Sequence, residues 1–228
     1  MINRFAWLAI EVADLQRADK LYRETLGLRM IGERPHERRY AVGESQLRLR
    51  TPNAQPNGGI HVHFAFGTAE ESYDEWWDRL SERFDLEEHS FGMYRSLYFE
   101  DSDGHCVEIG QQPVQGDGLE TIFEVVLEVA DLERALSFYQ LAGFDLVDLG
   151  EERPRARLRS NAVALELWEP HRGLAGARGG EHVDLGIGVE SVSEVRTKLE
   201  EVALAENESS DAVTLRDPDG HRITWIES

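Results

Sequence analysis

The chain contains two copies of one sequence pattern, and this duplication restricts its fold more than any other feature. The segment LAIEVADLQRA at 8–18 returns as VVLEVADLERA at 125–135. A second landmark, DSDGHCVE at 101–108, returns as DPDGHRIT at 217–224. Both pairs are separated by nearly the same number of residues. Such spacing indicates an internal repeat that covers most of the chain.

A third landmark lies between these two in each copy, because GGIHVH at 58–63 corresponds to GGEHVD at 179–184. Three landmarks in the same order are hard to obtain by chance. We therefore predict two tandem domains at residues 1–112 and 119–228, joined by a linker at 112–118. Each half of the 228 residues has the length of an ordinary single domain.

Within each copy the hydrophobic periodicity alternates between two and 3.6 residues. Asp14 is typical of a helix N-cap, and the apolar stripe that follows it ends at Gly27. The same pattern predicts helices at 131–143, at about 69–84 and near 190–202, each followed by alternating segments that predict strands. The sequence thus predicts an α+β fold with four units of strand, helix and several strands.

Charge and cysteine content restrict the partners and the compartment. The 44 acidic and 24 basic residues give a net charge of −20, which repels phosphate backbones and anionic membrane surfaces. We therefore expect no nucleic-acid and no membrane partner. The one cysteine, Cys106, excludes an internal disulfide and is typical of a reducing compartment. Since no signal peptide and no long apolar span is recognisable, a cytoplasmic protein is predicted.

The repeated landmarks resemble the vicinal oxygen chelate superfamily, which includes glyoxalase I, extradiol ring-cleaving dioxygenases and bleomycin- or fosfomycin-resistance proteins. The motif VADL at 12–15 with Tyr22 and Gly27, and the motif that ends in Glu108, carry the resemblance. It implies tandem glyoxalase-like domains whose four βαβββ units form cupped mixed sheets with helices outside. It also implies a small-molecule substrate and either a pseudo-twofold monomer or a homodimer. The reaction stays open, because this fold hosts many chemistries.

The resemblance also points to four metal-ligand positions in each copy. In glyoxalase I each metal site takes two ligands from one domain and two from the other. Crossing the two copies in this way implies one complete metal-binding set: His63, Glu108, Glu124 and Glu166. The opposite crossing gives a set without a plausible metal cage, which is either inactive or rebuilt to hold the anionic part of a ligand: Trp7, Arg48, Asp184 and Thr224.

Strand periodicity agrees with the complete metal-binding set, but it does not by itself show that these residues bind a metal. Each of its four members lies between apolar neighbours, so it points to the polar side of a predicted strand. Solvent-facing residues of a sheet covered on one side give the same alternation. If the three carboxylates converge in a partly dry site, however, their repulsion favours protonation or a bound cation. Both interpretations stay open at this point.

The complete set implies one divalent ion, Zn²⁺, Ni²⁺, Mn²⁺, Co²⁺ or Fe²⁺, with open positions for two adjacent substrate oxygens. By similarity to glyoxalase I, Glu108 is the expected base and Glu124 the acid or alternative base of an enediolate mechanism. A lyase or isomerase is therefore the first hypothesis. Glutathione does not suit this chain, because Glu11 and Glu128 replace the arginine that often binds it in glyoxalase I.

An extradiol dioxygenase is the second hypothesis, and it requires two histidines and one carboxylate on Fe²⁺. Neither half holds that triad at the family positions, although His61 could be recruited beside His63.

A metal-free protein that binds an antibiotic-like molecule is the third hypothesis, with Trp7, Trp168 and Trp225 as lining residues. The segments DSDG at 101–104 and DPDG at 217–220 predict hairpin turns, and the histidines that follow them, His105 and His221, are expected at the surface.

Overall fold

The computed structural model describes residues 1–52, 62–151, 153–161, 163–169 and 183–228. The first half of the chain forms two units of strand, helix and three strands. The first unit contains β1 (Ile2–Glu11), α1 (Leu15–Asp19), β2 (Arg29–Arg34), β3 (Glu37–Val42) and β4 (Ser45–Arg50). The second unit contains β5 (His63–Thr68), α2 (Tyr73–Ser81), β6 (Glu87–Phe91), β7 (Tyr94–Glu100) and β8 (Cys106–Gln111).

The second half repeats this order of elements. The third unit contains β9 (Thr121–Glu128), α3 (Leu132–Leu141), β10 (Asp145–Leu149), β11 (Arg155–Arg159) and β12 (Ala164–Trp168). The fourth unit contains β13 (Asp184–Val189), α4 (Val192–Leu199), β14 (Leu204–Glu208), β15 (Ala212–Arg216) and β16 (Arg222–Glu227). The predicted four βαβββ units are confirmed.

The strands form two eight-stranded mixed sheets, and each sheet takes four strands from each half of the chain. The first sheet has the order β14-β15-β16-β13-β1-β4-β3-β2 and joins the first unit to the fourth. The second has the order β10-β11-β12-β9-β5-β8-β7-β6 and joins the second unit to the third. At the centres of the sheets, β1 pairs antiparallel with β13 and β5 pairs antiparallel with β9. The α+β class and the mixed sheets are therefore as predicted.

The helices are shorter or less regular than the periodicity indicates. The Asp14 carboxylate caps α1 by accepting from the backbone N–H groups of Gln16 and Arg17. After α1 the chain continues as a π-helical segment, Lys20–Thr25, and Gly27 ends it with a φ of +74°. The second predicted helix begins with a 3₁₀ turn before α2. None of the helices in the described ranges is long and apolar enough to span a membrane.

The repeated DxDGH motif ties consecutive units together. Asp101 accepts hydrogen bonds from two backbone N–H groups of its own turn and, at 2.8 Å, from the hydroxyl of Tyr22 in the first unit. Asp217 makes the same contacts in the second half, with Tyr139 as the donor at 2.8 Å. Both tyrosines are fully buried. The motif therefore has a structural role, and this explains why the repeat retains it.

His105 and His221 are buried, so their predicted surface location is wrong. Each has only 2% of its surface exposed. The ring Nε2 of His105 lies 2.8 Å from the carbonyl oxygen of Glu11, and that of His221 lies 2.9 Å from the carbonyl oxygen of Glu128. These carbonyl groups belong to the last residues of β1 and β9. Each histidine thus turns inward to bind the end of a strand in the preceding unit, which satisfies a buried polar group.

Candidate functional site

Glu108 and Glu124 lie on the same face of the second sheet, on either side of Ala65. The Cα of Ala65 in β5 is the register partner of Glu124 in β9 and also of Glu108 in β8. Directly opposed residues of neighbouring strands point to the same face of a sheet. The two carboxylates therefore flank a strand that carries only a methyl group between them.

The other two predicted ligands occupy the adjacent row of the same face. Val126 in β9 is the register partner of Glu166 in β12 and of His63 in β5. Because side chains two residues apart along a strand share a face, this row lies beside the row of Ala65. The structure thus brings all four residues together on one surface, which we call the acidic face: His63, Glu108, Glu124 and Glu166. Their role as metal ligands stays a prediction.

The carboxylates of the acidic face are buried close to one another. Only 4% of Glu108, 6% of Glu124 and 7% of Glu166 is exposed. The His63 Nε2 lies 3.3 Å from a carboxylate oxygen of Glu108. Burial, together with the charges of Glu166 and Glu108, raises the pKa of Glu124 to about 8, although Arg157 opposes the shift. Crowding of buried acidic groups therefore disfavours the charged form of Glu124, and the ion pair with Arg157 opposes this effect.

Two arginines of β11 contact the acidic face. The Arg157 guanidinium donates to Glu124, and Arg155 Nη1 donates to Glu166 at 2.9 Å. The indole N–H of Trp168 donates to the other oxygen of Glu166 at 2.8 Å. With the side chains in these positions, no three His, Cys, Asp or Glu residues of the described ranges are placed to hold a metal ion.

The sequence interpretation missed these arginines and also Tyr98. The segment RARLR at 155–159 alternates, and this pattern places its arginines on one face of β11, so the signal was present. Tyr98 is the register partner of Glu108, and its ring centroid lies 5.8 Å from that of His63. Burial and the charge of Glu108 raise the pKa of the Tyr98 hydroxyl, which is therefore a neutral group beside the carboxylate.

The other predicted set lies on the first sheet and contains one carboxylate. The indole N–H of Trp7 donates to Asp184 at 3.1 Å, and the guanidinium carbon of Arg48 lies 3.7 Å from the centroid of the Trp7 ring. The Thr224 hydroxyl lies 3.0 Å from that of Thr214. The two predicted sets of residues thus lie on two separate faces. One set contains three carboxylates, and the other contains one carboxylate beside an arginine.

Comparison with known families now identifies the first half of the chain. Residues 4–109 match the family model described as the Glyoxalase/Bleomycin resistance protein/Dioxygenase superfamily. This half belongs to the glyoxalase superfamily. A comparison with curated proteins finds no match.

Solved structures share the fold of the whole chain. A proposed dioxygenase from Bacillus subtilis subsp. subtilis str. 168 is 13% identical with a TM-score of 0.79, and the match covers 99% of this chain and 85% of that one. Glyoxalase I from Zea mays is 20% identical with a TM-score of 0.72, covering 98% and 92%. The cppA protein from Streptococcus pneumoniae TIGR4 is 10% identical with a TM-score of 0.60, covering 100% of both chains.

The structure bears differently on the residues named for the dioxygenase hypothesis and for the binding-protein hypothesis. His61, the additional histidine of the dioxygenase hypothesis, lies outside the described residues. Trp225 is fully buried in the core, so it does not line a face. Trp168 does, because its ring centroid lies 5.7 Å from that of His63. A tryptophan therefore borders the acidic face as the binding-protein hypothesis requires.

Proposed function

We propose that the acidic face is the reaction centre of a metal-dependent lyase or isomerase of the glyoxalase I type, which acts on a small substrate with adjacent oxygens. The observation that supports this function is the meeting of three buried carboxylates and one imidazole from four strands and both halves of the chain. Buried like charges repel one another, so such a cluster gains free energy from a proton or a cation. Membership of the glyoxalase superfamily agrees with this chemistry.

The donor set suits a divalent cation. Three carboxylates and one imidazole are typical ligands of Mn²⁺, Fe²⁺, Co²⁺, Ni²⁺ and Zn²⁺, and the residues do not select among these ions. Arg155 and Arg157 hold Glu166 and Glu124 in the present conformation, so a bound cation would replace these two guanidinium groups as the positive partner. When bound, it would polarise two substrate oxygens and stabilise the negative charge that develops on proton removal.

In this proposal the two glutamates beside Ala65 would transfer protons on opposite sides of a substrate carbon. Glu108 would accept the proton from a carbon next to a carbonyl group, with the His63 imidazole beside it. Glu124, on the other side of Ala65, would act as the acid or alternative base. Because Ala65 has only a methyl side chain, no bulky group of β5 separates the two carboxylates at this position.

Metal titration of three variants tests this proposal. We expect the wild-type chain to bind one divalent ion, measured by calorimetry with Mn²⁺, Ni²⁺ and Zn²⁺ and by elemental analysis. Glu124→Gln should weaken binding by about tenfold or more, because it removes a charged ligand. Arg157→Gln should strengthen binding, because it frees Glu124 from its guanidinium partner. Arg153→Gln is the matched control, since Arg153 stacks on Trp168 without an ion pair to the acidic face in the described structure.

The same metal-loaded preparations test Glu108 as the base. Exchange of the carbon-bound protons of dihydroxyacetone in D₂O, followed by NMR, should fall by about 10²- to 10⁴-fold in Glu108→Gln. Glu82→Gln, at the exposed end of α2, should retain the wild-type rate. Unchanged exchange in Glu108→Gln would exclude Glu108 as the base. A folded wild-type chain that takes up none of these ions would exclude the metal-dependent function.

A metal-free binding protein is the second candidate, and the ion pairs of Arg155 and Arg157 favour it. These contacts already neutralise two of the three carboxylates without a cation. Trp168, hydrogen-bonded to Glu166, supplies an aromatic wall beside them. If neither the wild-type chain nor Arg157→Gln binds a divalent ion, this second function is the one to pursue.

A further inference from the structure

One row across the first sheet is rich in arginine. The successive register partners from β3 to β15 are Arg39, Arg48, Ala9, Asp184, Arg222 and Arg216. Arg50 lies two residues after Arg48 in β4 and therefore points to the same side. We call the surface formed by these five guanidinium groups the arginine face.

Positive charge exceeds negative charge on the arginine face. Glu37, Asp184 and Glu206 each form ion pairs with two of the five arginines. Glu11, the register partner of Arg50, is a fourth carboxylate on this side, so among the described residues five guanidinium groups stand against four carboxylates in a chain whose net charge is −20. A small anion that is repelled by most of the surface would be attracted to this face.

Arg48 is the arginine whose charge is least compensated. Its Nε and Nη2 groups donate to the amide oxygen of Gln46 at 3.2 and 3.1 Å, and the guanidinium stacks on Trp7. Within the described ranges, no carboxylate lies within ion-pair distance of Arg48, and its direct register partner in β3 is Arg39. Burial and the charges of Arg39 and Arg50 lower the pKa of Arg48 to about 10. The second Nη group of Arg48 is therefore available to an acceptor.

We propose that the arginine face binds a small anion through a carboxylate or phosphate group, with Arg48 and Arg39 as its principal partners. An oxyanion between them would replace the like-charge repulsion with charge-assisted hydrogen bonds, for which the planar guanidinium fork is well suited. The face is reachable, because 29% of the Arg39 side chain and 24% of the Arg50 and Arg222 side chains are exposed. This site lies on the other sheet from the acidic face and does not depend on the function proposed there.

Calorimetric titration with inorganic phosphate and with malonate, at pH 7 and constant ionic strength, tests the proposal. We expect saturable 1:1 binding of at least one of the two anions, and the tighter one identifies the preferred group. Arg48→Gln should raise the Kd about tenfold, because a charge-assisted hydrogen bond is lost. Arg79→Gln is the matched control: its guanidinium also stacks on a tryptophan, 4.5 Å from the Trp76 ring, but it lies on α2.

The control should leave the Kd within about twofold of the wild-type value, since it removes an equal charge from a different surface. If Arg48→Gln does not fold by circular dichroism, Arg39→Gln gives the same test with an expected loss of severalfold. The proposal is overturned if the folded wild-type chain binds neither anion saturably, or if Arg79→Gln weakens binding as much as the variants of the arginine face do.

Discussion

The ion pairs of Glu37 on the arginine face make the stability of the fold depend on pH. Its carboxylate accepts from Arg39 Nε at 2.5 Å and from Arg50 Nε at 2.7 Å. Burial by itself would raise the pKa of Glu37, but the hydrogen bonds from Arg50 and Arg39 outweigh it and hold the pKa below its ordinary value. A carboxylate with a lowered pKa in the folded state adds stability above its ordinary pKa, and this stability is lost as the pH falls through the folded-state value.

We therefore expect Glu37→Gln to destabilise the fold at pH 7 by about 0.5–1 kcal/mol, the size of a solvent-screened ion pair. The difference from wild type should shrink as the pH is lowered from 5 towards 3. Urea unfolding followed by tryptophan fluorescence at several pH values measures both quantities. Glu82→Gln, at the exposed end of α2, should follow the wild-type profile. A difference that grows on acidification would contradict this account of Glu37.

Residues of the acidic face could be predicted to different degrees from the sequence. The period-two pattern was sufficient to place Glu108, Glu124 and Glu166 each on the polar side of its own strand, because strand alternation is a local property. Their grouping on one face was implied by the resemblance to the vicinal oxygen chelate superfamily. The pairing of Arg157 with Glu124 was not accessible, since it depends on the order of strands in the sheet. Burial of His105 depends in the same way on a carbonyl group that is far away in the sequence.

At the scale of elements, the contact of β1 with β13 depends on a glycine. Gly186 lies directly opposite Trp7, and the indole covers it so closely that a Cβ at Gly186 would lie 2.2 Å from the ring. Since the same indole donates to Asp184 and stacks on Arg48, its position orders the centre of the arginine face. A methyl group at Gly186 would displace the ring and disturb both contacts.

Gly186→Ala should accordingly destabilise the protein by about 1–3 kcal/mol, the usual cost of overpacking a buried site. Gly32→Ala in β2 is the matched control, because the nearest atom to a Cβ there is 3.6 Å away. The control should be neutral or slightly stabilising, since alanine reduces the entropy of the unfolded chain. Thermal unfolding by circular dichroism compares the two variants. Equal stabilities would show that the indole moves without cost.

Helix type was less accessible to prediction than the strands. The apolar stripe between Asp14 and Gly27 satisfies the pattern of one continuous helix, yet the chain widens to a π-helical segment at Lys20–Thr25. Spacing of apolar residues at 3.6 does not distinguish these forms over so short a segment. The caps were predictable, because they depend on side-chain and backbone chemistry within a few residues.

At the scale of the whole molecule, neither half of the chain completes a sheet. β1 requires β13, and β5 requires β9, so residues 1–112 alone would leave two central strands with an unpaired edge. Because the halves are repeats, β5 occupies in the first half the place that β13 occupies in the second. Two copies of the first half could therefore pair β1 of one with β5 of the other. Such a homodimer would restore both sheets, but each sheet would carry only side chains of the first half.

Separate expression of the two predicted domains tests whether each half needs a second half to complete its sheets. We expect 1–112 to be a dimer or an aggregate by light scattering, because exposed strand edges associate. Neither of its sheets would contain the acidic face, since Glu124 and Glu166 belong to the second half. Mixing 1–112 with 119–228 should give a heterodimer that contains both faces and recovers the metal binding expected of the intact chain. A folded monomer of 1–112 would show instead that each half closes its own sheets, and that the acidic face is not shared between them.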